Sequence, residues 1–216
     1  RRRGEFGQAL LAEGESIRVT SKAGTDLTLS NKGRKGSCQY GYTDTPGRWD
    51  NWPSATSSTA PLENSAEGTL VVDVGDAIIP LGGYAMSPIH FELREGSIVS
   101  IEGGADARLV QDFFEAAKDD RAYGVSHIGW GNDERAIWNT LGLRFWEGGG
   151  VMDTESYYGN MLIAFGSNFF RKLGGENYAK FHFDIPTRNH SFWIDDTQVL
   201  DCGKFVIPEL MIPGSK

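Results

Sequence analysis

The chain is poor in cysteine and has no long apolar run. Its 216 residues include two cysteines, Cys38 and Cys202, which lie far apart and outside any CxxC pair. This spacing gives no support for a cysteine zinc site, and it favours free thiols in a reducing compartment over a disulfide. No segment approaches the roughly 18 apolar residues of a membrane span, and the first residues lack a signal-peptide pattern. We therefore expect a cytoplasmic protein that does not enter a membrane.

Positive charge is also in short supply. The chain has 21 Lys and Arg residues against 29 Asp and Glu residues, a formal net charge of -8. Such a surface would repel the phosphates of a nucleic acid or of an anionic membrane. The length suffices to bury one full core. Composition thus predicts a globular protein without nucleic acid or membrane as a partner.

What the chain does contain is many short strand patterns and few helical ones. Residues 16–21 alternate as a half-buried strand does, and IHFEL-REG-SIVSI predicts a β-hairpin that turns at 94–96. Residues 106–119 carry apolar side chains at helical spacing with Asp106 placed as an N-cap, and 133–141 could form a second short helix. The fold class expected is α+β, a strand-rich mixed sheet domain with few helices.

Residues 31–67 interrupt this pattern with a long stretch rich in Gly, Pro, Ser and Thr. The stretch holds the aromatic residues Tyr40, Tyr42, Trp49 and Trp52, which need somewhere to pack. Long ordered loops in compact domains are usually functional. We expect this segment to be irregular and to line a pocket.

The sequence Phe181-His182-Phe183-Asp184 is a candidate metal site. On a strand, residues two apart point to the same face, so His182 and Asp184 can share one ion while the phenylalanines enter the opposite side. An imidazole and a carboxylate together suit borderline divalent metals. An isolated HxD pair is equally typical of a strand that faces solvent.

His127 is the third candidate ligand. It lies in the apolar segment VSHIGW, where an unpaired imidazole would be costly to bury. A core histidine bonded to the backbone is the ordinary alternative. Joined with His182 and Asp184, it would complete a 2-His-1-carboxylate facial triad, which leaves three positions open for substrate and O2. His90 and His190 have no comparable neighbours.

Several longer motifs resemble a known family over about residues 15–210, nearly the whole chain. In order, they are SKAGTDL, YGYTDTPGRWDNWPS, SAEGTLVVDVGD, YGVSHIGWG, YYGNML and HFDIPTRN. They are similar to the 2,5-dihydroxypyridine dioxygenases of nicotinate catabolism, whose iron ligands have a spacing close to that of His127 and His182.

This resemblance implies a non-haem Fe(II) ring-cleaving dioxygenase of the extradiol type, with Fe(II) held by His127, His182 and Asp184. Its partners would be O2 and a small aromatic or heteroaromatic substrate, and the family product from the pyridine is N-formylmaleamate. The resemblance further implies a homo-oligomer and an upstream α/β domain absent from this chain. Residues 1–14 would then be the tail of an upstream helix or a linker. Residues 15–216 would be the metal-binding catalytic domain, with an M29 aminopeptidase-like fold.

The resemblance also implies a substrate pocket with three departures from the pyridine enzymes. Gln39, Asn51 and Ala164 stand where those enzymes carry Glu, His and Ser. Gln39 and Asn51 can form hydrogen bonds but cannot act as bases near pH 7. We therefore expect altered substrate recognition, and the catalytic base is unknown.

Further pocket candidates come from the residues themselves. Arg48 could pair with an anionic substrate or could bond to loop carbonyls. Trp49, Trp52 and Trp130 could stack on a ring or could pack in the core.

M29 metallo-aminopeptidases, which share the fold, provide the main alternative function. They bind two metals, and their additional ligands match Ala55, Thr56 and Leu162 here, while His127 stands where they carry a glutamate. Losing these ligands removes the dinuclear site and leaves a mononuclear one. A catalytically silent relative that keeps the fold for binding or assembly is the third possibility.

Overall fold

The structure, a computed structural model, describes residues 1–52, 54–141, 150–169 and 173–214. The helices are α1 (Arg2–Glu13), α2 (Ala105–Ala117) and α3 (Val151–Ser156). The strands are β1 (Ser16–Ser21), β2 (Asp26–Ser30), β3 (Gly36–Gln39), β4 (Thr56–Thr59), β5 (Glu67–Val72), β6 (Ala77–Ile78), β7 (Gly83–Tyr84), β8 (Ile89–Arg94), β9 (Ser97–Gly103), β10 (Val125–Gly131), β11 (Met161–Gly166), β12 (His182–Thr187), β13 (His190–Ile194), β14 (Thr197–Asp201) and β15 (Lys204–Phe205). The expected α+β class is confirmed.

The strands form two main antiparallel sheets. The eight-stranded sheet has the order β15-β14-β13-β1-β2-β5-β8-β9, and the five-stranded sheet has the order β12-β11-β10-β4-β3. The short strands β6 and β7 pair with each other. In the described ranges, no helix has both the length and the apolar character needed to cross a membrane.

The predicted hairpin of β8 and β9 forms as expected. Ile89, Phe91 and Leu93 are buried on one face of β8, which matches the alternation of the sequence. At the turn, Glu95 and Gly96 both have positive φ, 47° and 79°. A two-residue turn of this kind matches the right-handed twist of the flanking strands.

The core lies between the two main sheets. The ring of Phe91 on β8 stacks on Phe165 of β11 with centroids 5.8 Å apart. Trp130 on β10 meets Phe192 of β13 edge to face at 5.2 Å. Trp130 is 0% exposed. It lies on the core face of its strand, in agreement with the alternative that it packs in the core and does not stack on a substrate ring.

Three local predictions also need correction. The segment 31–67 is not wholly irregular, because it contributes β3 and β4 to the five-stranded sheet. Between 133 and 141 the structure has only a 3-10 turn at Trp138–Thr140. The N-cap of α2 is Gly104 and not Asp106. The carboxylate of Asp106 instead accepts hydrogen bonds from the backbone N–H groups of Met86 and Ser87, both at 2.8 Å.

Helix α1, which lies in the segment expected to precede the catalytic domain, packs against the core of that domain. Leu11 of α1 is fully buried and belongs to the main hydrophobic core. Gly7 lies so close to β4 and β10 that an added Cβ would meet the Ser57 side chain at 2.5 Å. Helix α1 therefore packs against the core of the domain, and the division expected after residue 14 stays a prediction.

Candidate metal centre and its cavity

The three candidate ligands lie on two strands that flank β11. His127 is on β10, and His182 and Asp184 are on β12. Strand β11 pairs with both neighbours, so that Ala164 is opposite His127 on one side and opposite Asp184 on the other. Directly paired residues of an antiparallel sheet share a face. The three side chains therefore emerge together on the face that points away from the core.

A β-bulge at Ser126 sets the direction of His127. The register between β10 and β11 shifts between Val125 and His127, so one extra residue opposes β11 at this point. Bulges are common beside active sites, where they re-aim a side chain. Here the bulge leaves Val125 on the core face and places both Ser126 and His127 near His182.

The ligand atoms form a tight triangle. Nε2 of His127 lies 3.0 Å from Nε2 of His182, and each of these nitrogens lies 3.2 Å from Oδ1 of Asp184. With metal–ligand bonds of about 2.1 Å, ligands about 90° apart are separated by about 3.0 Å, whereas tetrahedral ligands are about 3.4 Å apart. The three atoms are therefore close enough together to bind one divalent ion, and these residues could hold a metal.

Backbone contacts fix the orientation of His182. Its Nδ1 lies 3.0 Å from the carbonyl oxygen of Ser167 and 3.2 Å from Oγ of Ser126. The Ser126 hydroxyl donates to the same carbonyl at 2.6 Å. Because a carbonyl only accepts, Nδ1 carries the proton and the lone pair of Nε2 faces the other two ligands. Such outer contacts orient ligating histidines and tune metal affinity.

Replacing Ser126 by Ala should weaken metal binding about tenfold or more, since losses of such outer partners cost about 10- to 100-fold. The change removes one hydrogen-bond partner of His182 and leaves the three ligands in place. Metal affinity is measured by competition with a chelator of known affinity. The control is Ser100→Ala on β9, whose hydroxyl donates to Glu102 at the surface. Unchanged affinity in Ser126→Ala would contradict the role assigned to this hydroxyl.

Electrostatics favour the metal-binding forms of two of the ligands. Burial lowers the pKa of His127 despite the nearby Asp184, so this imidazole is neutral. Burial would raise the pKa of Asp184, but the hydrogen bonds and charges of the two imidazoles hold it well below its usual range. Burial also opposes charge on His182, yet the hydrogen bond and charge of Asp184 raise its pKa above the ordinary value. The centre thus pairs one firmly ionised carboxylate with two imidazoles.

A cavity of about 870 Å³ opens over the triangle. Its walls come from α1, β3, β4, the loop after β3, α3 and β11, and they carry both polar and apolar side chains. The polar and charged residues are Gln8, Lys35, Ser37, Gln39, Arg48, Asn51, Thr56, Ser58 and Glu155, and the apolar ones include Ala12, Trp49, Met152, Leu162, Phe169 and Leu173. This volume accommodates a small aromatic ring.

The three pocket positions expected to differ from the pyridine enzymes lie at this site. Gln39 and Asn51 line the cavity. The amide oxygen of Gln39 accepts hydrogen bonds from Ser54 at 3.0 Å and Thr56 at 3.2 Å. Ala164 is fully buried between His127 and Asp184 on the ligand face of the sheet.

Arg48 is engaged by its own loop. Its guanidinium donates to the carbonyls of Tyr42 and Cys38 and to Asp50, and it lies 3.7 Å over the ring of Tyr40. Although Arg48 reaches the cavity wall, these contacts agree with the hypothesis of bonding to loop carbonyls.

The two loop tryptophans occupy different positions. Trp49 contributes to the cavity wall although it is largely exposed. Trp52 is 75% exposed and packs beside Gly41, where an added Cβ would meet its ring at 2.7 Å. Trp52 is absent from the residues that line the cavity. Its assignment to the pocket stays a prediction.

Glu155 is a cavity residue that the sequence analysis missed. It lies on α3 one turn after Met152, and both side chains face the cavity. Burial, reinforced by the negative charge of Asp184, raises the pKa of Glu155 to about 8. No spacing in the sequence could have identified it, because tertiary contacts set the orientation of this short helix.

Comparisons with known proteins agree with the geometry. Residues 1–207 match the family model described as NicX, 2,5-dihydroxypyridine 5,6-dioxygenase. The chain is 42% identical over 209 residues to the 2,5-dihydroxypyridine 5,6-dioxygenase of Pseudomonas putida, and this match covers 97% of the chain and 59% of the relative. The chain therefore spans less than two thirds of the length of this curated relative.

Two solved structures are similar to this one. The structure of 2,5-dihydroxypyridine dioxygenase from Pseudomonas putida KT2440 matches with a TM-score of 0.90 and 42% identity, covering 97% of this chain and 60% of that one. Wild-type AmpT from Thermus thermophilus matches with a TM-score of 0.67 and 18% identity, covering 94% and 53%. The second likeness concerns the fold alone and confirms the M29 aminopeptidase-like architecture.

Proposed function

Because the chain belongs to the 2,5-dihydroxypyridine 5,6-dioxygenase family, we propose that it carries the metal centre of a non-haem Fe(II)-dependent ring-cleaving dioxygenase. The substrate is a hydroxylated aromatic or N-heteroaromatic ring, and O2 is the second substrate. The single observation that supports this function best is the triangle of His127, His182 and Asp184 at the floor of the cavity.

The residues of the cavity have separable tasks in this function. His127, His182 and Asp184 would hold Fe(II), which when bound supplies open coordination positions and the electron transfer that O2 chemistry requires. Apolar wall residues such as Leu162, Phe169 and Leu173 would exclude water and contact the ring. Polar wall residues would form hydrogen bonds with the ring substituents.

Substrate choice in this proposal depends on Gln39 and Asn51. Both are amides that donate and accept hydrogen bonds but do not ionise. Two hydroxyl groups contact the amide oxygen of Gln39, so its NH2 group is left to donate to an oxygen of the substrate. We propose a ring that resembles 2,5-dihydroxypyridine and differs from it in the substituents that meet these two amides.

The competing functions have weaker support. A dinuclear aminopeptidase needs more metal ligands, and in the described residues a single group of three side chains could hold a metal. Leu162, at a ligand position of the peptidases, is an apolar part of the cavity wall. A silent relative would have no need of a converging ligand triangle.

Three further properties remain proposals. We propose that residues 15–216 are the metal-binding catalytic domain and that residues 1–14, whose helix α1 packs against its core, are the tail of an upstream helix or a linker. We also propose that the protein works as a homo-oligomer. We further propose that it works in the cytoplasm, which accords with its two free cysteines.

The decisive test is oxygen uptake by protein purified anaerobically and loaded with Fe(II). We expect about one iron per chain and consumption of about one O2 per ring opened, with 2,5-dihydroxypyridine and related hydroxypyridines and hydroquinones as candidate substrates. An oxygen electrode and elemental analysis provide the measurements, and zinc-loaded protein serves as the inactive control. Aminopeptidase turnover without oxygen uptake would favour the peptidase, and failure to retain iron would favour the silent relative.

A further inference from the structure

We propose that Glu155 is the catalytic base of this site, the residue that receives the proton of the ring hydroxyl when the ring binds at the metal centre. This inference rests on the proposed function and assigns a role that Gln39 and Asn51 cannot fill.

The backbone around Glu155 is held in place on both sides. Its neighbours Thr154 and Ser156 are fully buried. The hydroxyl oxygen of Ser156 accepts a hydrogen bond from the backbone N–H of Ala55 at 3.0 Å. The side-chain amide of Asn160 donates to the backbone carbonyl of Glu155 at 2.9 Å. The carboxyl group therefore projects into the cavity from a fixed point.

Within the described part of the chain, the carboxyl oxygens of Glu155 accept no hydrogen bond and form no ion pair. The charges of Asp184 and His182 nevertheless act on this group. A partly buried carboxyl without a partner is costly, so a ligand that donates a hydrogen bond to it binds favourably. A ring hydroxyl is such a donor.

The other ionisable residues of the cavity wall are less suited to this role. Lys35 is exposed at the rim, and Arg48 stays charged and is bound to its loop. The thiol of Cys38 donates to the side-chain oxygen of Gln8 at 2.9 Å, and burial raises its pKa. Once the metal ligands are set apart, Glu155 is the remaining carboxyl group in the described wall.

The proposed step is a simple proton transfer. The O–H bond of the ring hydroxyl breaks, its proton passes to a carboxylate oxygen of Glu155, and the electron pair stays on the ring oxygen. The ring becomes an anion, Glu155 becomes neutral, and nothing is oxidised. The ring anion that forms would be stabilised by the positive charge of a divalent cation held by His127, His182 and Asp184.

The test counts protons released when 2,5-dihydroxypyridine, or the best ring of the oxygen-uptake panel, binds to Fe(II)-loaded protein without O2. Titration calorimetry at about pH 8 in buffers of different ionisation enthalpy gives this number. In the unaltered protein the proton passes to those Glu155 side chains that are ionised at this pH, so we expect release well below one proton per ring. In Glu155→Gln the ring anion can form only by losing its proton to the buffer, so we expect release of about one proton per ring. Glu209→Gln, which changes an exposed carboxylate outside the cavity, should behave like the unaltered protein.

A second measurement needs no variant. An infrared difference spectrum of the unaltered protein should show loss of a carboxylate band and gain of a carboxylic acid band when the ring binds. Absence of this change, or equal proton release in Glu155→Gln and the unaltered protein, would overturn the assignment while leaving the proposed function intact. Iron-loaded protein that binds no hydroxylated ring would overturn the proposed function and this inference together.

Discussion

Replacing Asp184 by Ala should abolish iron retention and reduce ring-dependent oxygen uptake by about three orders of magnitude or more. Asp184 is the one anionic member of the triangle, and its Oδ1 lies 3.2 Å from both imidazole nitrogens. Two neutral imidazoles alone bind Fe(II) weakly, so the centre would lose both its ion and its chemistry. Iron content after gel filtration and the initial rate at the oxygen electrode measure the effect.

The fold should survive this change, because the Asp184 side chain points away from the core into the cavity. Circular dichroism of the metal-free variant should match that of the unaltered protein. Asp196→Asn provides the matched control, since Asp196 is exposed at the hairpin turn between β13 and β14. Full oxygen uptake by Asp184→Ala would refute the metal centre proposed here.

Replacing Phe183 by Ala should lower the free energy of unfolding by about 3–5 kcal/mol. Phe183 is fully buried, and its ring lies 4.9 Å from Phe114 and 5.0 Å from Phe113 between centroids. The substitution removes a large apolar side chain and leaves a cavity between β12 and α2. Urea unfolding of metal-free protein measures the change.

The effect should reach the site as well, because Phe183 separates two ligands on the same strand. Without the Phe183 ring, β12 packs less tightly against α2, and we expect weaker iron binding than in the unaltered protein. Leu109→Ala on the exposed side of α2 is the control, and its stability should change by no more than about 0.5 kcal/mol. A loss below about 1 kcal/mol in Phe183→Ala would mean that the aromatic cluster contributes little to stability.

The ligand pair on β12 illustrates how much of the site could be predicted from the sequence. Strand periodicity alone placed His182 and Asp184 on one face and Phe181 and Phe183 on the other, and the structure has this arrangement. The apolar segment around His127 made it a candidate ligand, but a core histidine bonded to the backbone was an equally open alternative until the family resemblance was considered. The β-bulge at Ser126 sets the direction of the His127 side chain. The pattern of apolar residues does not reveal this bulge, because one extra residue changes which face a side chain occupies without changing the composition of the strand.

Trp130 and Glu155 illustrate the limits of sequence reasoning. An apolar strand such as β10 can present its tryptophan to either side, and only the packing of two sheets decides that it enters the core. Glu155 reaches the cavity because buried hydrogen bonds orient α3. The strands β3 and β4 were overlooked for a related reason, since their Gly, Ser and Thr residues carry no apolar alternation.

The position of β11 between the two ligand-bearing strands has a consequence for biogenesis. His127 and Asp184 meet only after β11 has paired on both of its edges. A partly folded polypeptide in which β11 is unpaired therefore lacks the triangle of ligand atoms. The metal ion proposed for this site would bind only after both pairings of β11 have formed.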